Sequence, residues 1–229
     1  MRLCRRLVAL GLIAAFPAAA QYTHVQPSHD GTGIVYMNRE IAHVMGHLGA
    51  GWLERPERER EEQPAKVLSA MQLRANDIVA DIGAGTGYFS TRIARKIPLG
   101  RVLAVDIQPE MIAMLKSNIQ AKRLKNIEPV LGTPDDPHLP ASGVDKILMV
   151  DAYHEFDQPL AMMQNIVKNL RPGGEVVLVE YRGEDQSIPI LPHHKMTVEQ
   201  VNAEMAAVGL HLVRRNDELP MQHILIYGR

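Results

Sequence analysis

The stretch Val79-Ala80-Asp81-Ile82-Gly83-Ala84-Gly85-Thr86-Gly87 decides how the rest of the chain is read. An apolar run, Ile78 to Ala80 and then Ile82, ends in glycines at alternate positions, and a helix-forming segment, Tyr88 to Lys96, follows at once. This order predicts a buried strand, a tight glycine turn and a helix N-terminus. Such a turn calls for positive φ, and a backbone without Cβ lets a ligand lie directly against the chain. The free N–H groups that open the helix then face that ligand.

The neighbours of the turn narrow the ligand. A nicotinamide dinucleotide fingerprint wants Gly or Ala three residues after its second glycine, where this chain has Tyr88, too large for close packing of helix on strand. The nucleoside triphosphate pattern G-x-x-x-x-G-K-[S/T] is absent from the sequence. A second apolar strand, Val102-Leu103-Ala104-Val105, ends in Asp106, about twenty residues beyond the glycines, where an acidic strand tip can accept the hydroxyls of a ribose. The expected ligand is a nucleoside without a pyrophosphate.

Asp81-x-Gly83-x-Gly85-x-Gly87 followed by Asp106 resembles the cofactor signature of the class I S-adenosylmethionine-dependent methyltransferases. Downstream, Val144 to Val150 looks like that family's fourth strand, and Leu170-Arg171-Pro172-Gly173-Gly174 resembles its turn before strand five. The resemblance covers Pro64 to Arg229. It implies a doubly wound α/β fold with a mostly parallel seven-stranded sheet and a C-terminal antiparallel strand pair. It also implies S-adenosyl-L-methionine as cofactor, held by Asp81, Gly83, Ala84, Gly85 and Gly87, with the ribose on Asp106. Adenine is expected near Ile107 and near Asp135 or Asp136. The loop Gly132 to Pro140 departs from the family, because Thr133 stands where an acidic residue usually follows the glycine.

Composition limits the partners. The formal net charge is −1, so no broad basic field exists to hold a nucleic acid, and nucleic acid is not an expected partner. Met1-Arg2-Leu3-Cys4-Arg5-Arg6 is a basic start, Leu7 to Phe16 is apolar, and Pro17-Ala18-Ala19-Ala20-Gln21 offers a cleavage site after Ala20. This reads as a secretory signal peptide over residues 1–20, with a periplasmic or secreted destination. As a helix the apolar run spans about 15 Å, half of a bilayer core, so no stable membrane insertion is expected once the leader is cut. The sole cysteine, Cys4, lies in that leader, and the remaining chain has no thiol nucleophile.

Residues 21–63 read as an N-terminal arm and helical cap in front of the cofactor domain, 64–229. Gln21 to Gly33 is polar and without period, an irregular arm. From Tyr36 on, Met37, Ile41, Val44, Met45 and Leu48 recur at helical spacing, which predicts a helix ending at Gly49. Glu40, His43 and His47 share its flank, but a solvated pair of histidines is the better reading than zinc ligands, and no metal is assigned. Trp52 to Glu62 carries charges of both signs, with Pro56 placed to start a helix. Together these segments are expected to form a lid.

The tip of the fourth strand, Asp151-Ala152-Tyr153-His154-Glu155-Phe156, lies at the carboxyl end of the sheet, where open α/β sheets bind ligands. His154 is the candidate base, since its ordinary pKa near 6.5 suits proton removal from a hydroxyl or amine. Asp151 and Glu155 can orient it or hold a cationic substrate, Asp151 is also a candidate cofactor contact, and Tyr153 can stack or donate. Leu191-Pro192-His193-His194-Lys195 is a second candidate wall. The reaction implied by the resemblance is methyl transfer to an O, N or S atom of a small-molecule acceptor. The rival reading is an exported, non-catalytic protein of this fold that binds S-adenosyl compounds or a nucleoside.

Overall fold

The computed structural model describes residues 22–229; the leader and its expected cleavage after Ala20 lie outside them. The apolar runs of the sequence become the strands of one seven-stranded sheet, formed by β4 (Ile78–Ile82), β5 (Arg101–Asp106), β6 (Ile127–Leu131), β7 (Val144–Val150), β8 (Leu170–Tyr181), β9 (His211–Asn216) and β10 (Gln222–Gly228). Their order is β6-β5-β4-β7-β8-β10-β9. The five strands β4 to β8 run parallel, and β10 pairs antiparallel with both β8 and β9. This is the doubly wound fold with its terminal antiparallel pair.

The central strands are largely apolar runs because both faces of the sheet are covered there, while the edge strands β6 and β9 carry charged residues and are partly exposed. On one face Ile82, Leu103, Val105, Ile147 and Met149 pack with α6 (Pro159–Asn169) and α7 (Val198–Ala206). On the other, Val79, Val102, Ala104, Leu148 and Val177 pack with α3 (Pro64–Ala70), α4 (Tyr88–Lys96) and α5 (Pro109–Ala121). Helix starts follow the punctuation of the sequence, with Pro64, Pro109 and Pro159 each opening a helix. Thr197 caps α7 by accepting from the Gln200 N–H at 3.1 Å. Among the described residues, no helix is long and apolar enough to cross a membrane.

The chain winds outward from β4 through β5 to β6, then returns to place β7 on the other side of β4. The carboxyl ends of β4 and β7 therefore diverge, and a crevice opens between them at this switch point.

The N-terminal segment corrects two expectations. Residues 22–33 are not irregular throughout, and Tyr36 to Ala42 is strand and turn rather than helix. Instead β1 (Tyr22–His24), β2 (Gly31–Tyr36) and β3 (Arg39–Ala42) form an antiparallel sheet. Met37 and Asn38, at φ 47° and 69°, make the two-residue turn between β2 and β3, the doubly left-handed geometry that matches strand twist. The helical spacing of apolar residues there spans a hairpin turn and a loop by coincidence. Helix enters this segment only with the 3-10 turn His47–Gly49 and the short pieces α1 (Ala50–Leu53) and α2 (Arg58–Glu61).

Candidate active site

One wall of the crevice is the glycine turn. Gly83, Gly85 and Gly87 sit at φ 73°, 54° and 88°, a region costing an L-residue roughly 1–2 kcal/mol. A Cβ on Gly83 would stand 2.7 Å from the Ala152 Cβ, and one on Gly85 would stand 2.6 Å from Leu53 Cδ1. Both glycines line a cleft of about 350 Å³ with Asp106, Ile107, Asp151, His154, Glu155 and His194. Asp81 does not line it. Its carboxylate is buried beneath the turn, where it accepts from Ser90 Oγ at 2.5 Å, and burial raises its pKa to about 6. Ala84 and Gly87 likewise shape the turn without facing the cleft.

Asp106 ends β5 at the cleft. One of its oxygens accepts the Gly85 N–H at 2.8 Å and the other the Gln108 N–H at 2.9 Å. Each oxygen keeps a lone pair, so the pair can also take two neighbouring hydroxyls. Burial raises the Asp106 pKa. Asp135 and Asp136 are not brought to the cleft. Asp135 accepts from the Thr133 hydroxyl and Asp136 from the His138 N–H, so both stabilise their own turn, and Pro134 is the member of that loop which reaches the cleft.

The facing wall is the tip of β7. Asp151 has φ 48°, a left-handed conformation uncommon outside glycine though one that Asp tolerates better than most residues. Its Oδ2 accepts from Gln222 Nε2 at 2.6 Å, while Oδ1 is buried with no partner. Burial first, then the nearby Glu62 and Glu180 carboxylates, push its pKa well up. A buried carboxylate oxygen without a partner, on a residue that lines the cleft, is a place for a cation.

His154 is 2% exposed, with its edge in the cleft. Its Nδ1 meets Glu180 Oε2 at 2.6 Å and its Nε2 meets His194 Nδ1 at 3.1 Å. Burial disfavours the charged ring, but Glu180, by charge and hydrogen bond, outweighs this and raises its pKa. Glu155 closes the group, with Oε1 3.9 Å from His154 Nε2 and 3.5 Å from His194 Nδ1. Tyr153 turns the other way: it is wholly buried and its hydroxyl donates to Glu204 Oε2 at 2.6 Å. It positions the tip and touches no ligand space.

The tip is fixed from behind by the N-terminal sheet. Arg39 on β3 donates to both Glu204 oxygens, at 2.8 and 3.1 Å, and to the His154 carbonyl at 3.0 Å. Residues 44–62 form the roof. Leu53 rests on Gly85, Glu54 accepts from the Thr86 hydroxyl, and Gln108 ties down the Met45 carbonyl and the His47 N–H. His43 and His47 share no helix face with Glu40, whose carboxylate instead takes the Ser28 and Gly33 N–H groups and faces His193.

Sequence reading missed Arg39, Glu180 and Glu204. The one signal was Glu180, a lone charge inside the apolar run Val176 to Tyr181, since such a charge is buried only with partners.

Residues 79–174 match the family model described as a methyltransferase domain. An uncharacterized methyltransferase of Mycobacterium tuberculosis (strain H37Rv) is 34% identical over 124 residues, which are 54% of this chain and 47% of that protein. A protein-L-isoaspartate O-methyltransferase of Methanothrix thermoacetophila is 25% identical over 137 residues, 59% of this chain and 62% of that protein. The chain spans about half the length of the curated relatives it matches. Among solved structures, a SAM-dependent methyltransferase from Aquifex aeolicus superposes with a TM-score of 0.76 at 22% identity, over 80% of this chain and 98% of that one. That likeness is one of fold.

Proposed function

We propose, from the premise that residues 79–174 form a methyltransferase domain on the seven-stranded fold, that the protein transfers a methyl group from S-adenosyl-L-methionine to a small acceptor. The observation that carries this reading is the unpartnered, buried Asp151 Oδ1 opposite a bare glycine backbone and a strand-tip carboxylate. Those features suit the parts of the cofactor: a cation for Asp151, a ribose for Asp106, and a chain lying on Gly83 and Gly85. When bound, S-adenosyl-L-methionine supplies a methyl group on positively charged sulfur, and the carbon–sulfur bond breaks as the acceptor heteroatom bonds to carbon.

The protein's own part is alignment, exclusion of water and acceptance of a proton. Burial and the Glu62 and Glu180 carboxylates raise the Asp151 pKa, and a cation beside it favours its charged form, so it favours a charged cofactor over a neutral one. The acceptor's heteroatom loses its proton at the group His154, His194 and Glu155, which Glu180 backs. Met45, Trp52, Leu53, Phe156, Ile190 and Leu191 give the rest of the cleft an apolar lining, suited to a small acceptor with a sizeable apolar body. The basic, apolar leader supports export of the protein, and no nucleic acid partner is proposed.

Thermal unfolding with S-adenosylmethionine, S-adenosylhomocysteine and NAD tests the reading. Either S-adenosyl compound at a hundred times its dissociation constant adds about 2.7 kcal/mol, roughly 5–10 °C for a chain of this size. NAD gives no shift, and Asp151→Asn lowers the response to S-adenosylmethionine more than that to the uncharged thioether. A folded, ligand-free protein that responds to neither S-adenosyl compound would end the methyl-transfer reading.

A further inference from the structure

We propose that His154 Nε2, His194 Nδ1 and Glu155 Oε1 form a binding site for one divalent cation of zinc type on the cleft wall facing the glycine turn. The three atoms come from two short 3-10 turns, Tyr153–Glu155 and Pro192–His194, that the fold brings together from forty residues apart. Among the described residues they are a group of His and carboxylate atoms close enough to share an ion.

The separations fit one ion shared by all three atoms better than a cluster hydrogen-bonded throughout. Nitrogen to nitrogen is 3.1 Å, and the carboxylate oxygen stands 3.5 and 3.9 Å from the two rings. The two oxygen distances exceed good hydrogen-bonding reach, so Glu155 faces both rings without holding either. The point equidistant from the three atoms lies about 2.0–2.1 Å from each, and remains near 2.1 Å if the ion rides about half an ångström toward the cleft, as zinc–imidazole and zinc–carboxylate bonds require.

His154 is also set up from behind. Its Nδ1 lies 2.6 Å from the fully buried Glu180 carboxylate and must carry the proton of that bond, which turns a lone pair on Nε2 toward His194. A carboxylate holding the far nitrogen of a ligating imidazole is the usual companion of such a site, because it fixes the tautomer and raises basicity. Glu180 is itself fixed, since its other oxygen takes the Tyr153 N–H at 3.1 Å. Two imidazoles and one carboxylate favour zinc and its neighbours over magnesium, which prefers oxygen throughout.

Three protein ligands leave a fourth position open to the cleft. With the ion in place the three ligand atoms no longer accept the acceptor's proton, as they do when no ion is bound; the cation would take a lone pair of the acceptor's hydroxyl or thiol, and the proton leaves to solvent through the cleft mouth. Zinc lowers the pKa of bound water from 15.7 to about 7, and an acceptor hydroxyl gains in the same way. This role rests on the methyl-transfer reading above; the cation site itself does not.

Full-length protein, stripped with a chelator, is titrated with zinc chloride against a chromophoric zinc chelator and, in parallel, with magnesium chloride. One tight equivalent of zinc and none of magnesium is expected. Glu180→Gln, which touches no cation, should weaken zinc by about ten- to a hundredfold, and His194→Ala by at least as much. His194 sits in a partly exposed turn, so its variant is expected to stay folded, which circular dichroism checks. The absence of a tight equivalent, or zinc bound equally well by His194→Ala, would overturn the site. The thermal shift with S-adenosylmethionine, read on the same samples, separates the two ideas. Zinc bound without that shift leaves the cation site standing while methyl transfer fails, and the shift without zinc does the reverse.

Discussion

The two walls of the cleft are built in opposite ways. The wall after β4 is made by neighbours in sequence: Gly83, Gly85 and Gly87 bend the chain, and Asp106 at the next strand tip accepts the Gly85 N–H. The wall after β7 is made by side chains drawn from five separate places, Arg39, His154, Glu180, His194 and Glu204. Backbone conformation carries the first, and buried charge carries the second. The first should therefore yield locally and the second as a unit.

Arg39→Ala puts the most strain on this contrast. It leaves Glu204, only 1% exposed, without its guanidinium partner, and removing one member of a buried pair costs roughly 3–5 kcal/mol. Urea unfolding should show that loss, together with a weakened response to any ligand of the His154 tip. A loss below about 1 kcal/mol would mean that the second wall does not act as one network.

Beneath the first wall, Asp81→Asn is expected to act through pH. The Asp81 pKa is raised from 3.8 to about 6 by burial, so the folded state binds the proton more tightly than the unfolded state. The wild type then loses stability as pH rises between about 4 and 6, and the penalty, on the order of 3 kcal/mol, is complete above 6. The variant escapes it: it should gain relative to the wild type at pH 8 and show no gain near pH 4. Parallel stability profiles across this range would place the charge elsewhere.

Gly87→Ala should have the smallest effect. The residue sits at φ 88°, and the new methyl clashes only with the end of the Leu115 side chain, 2.4 Å away before adjustment, while Thr91 Cγ2 at 3.8 Å is in ordinary contact. Left-handed backbone accounts for roughly 1–2 kcal/mol, a fall in Tm of about 2–8 °C for a chain of this size. An effect as large as that of Arg39→Ala would erase the distinction between the walls.

The legibility of the chain follows the same division. Tyr88–Lys96, Ile127–Leu131 and the proline-opened helices could be read because hydrophobic period, proline and glycine act within a few residues. Met37-Asn38 was misread because the apolar residues on either side of a two-residue turn happened to fall at helical spacing. Glu180 was visible as a charge in an apolar strand, but its partner is 26 residues away.

By itself, then, the sequence determined the sheet, the glycine turn and the place of the crevice at the strand tips, since local sterics and burial periodicity specify them. Only the tertiary structure decided that Asp135, Asp136 and Tyr153 turn from the cleft while His194 and Glu180 join His154. Buried charges must find partners wherever the fold brings them, and that pairing is set by topology rather than by distance along the chain.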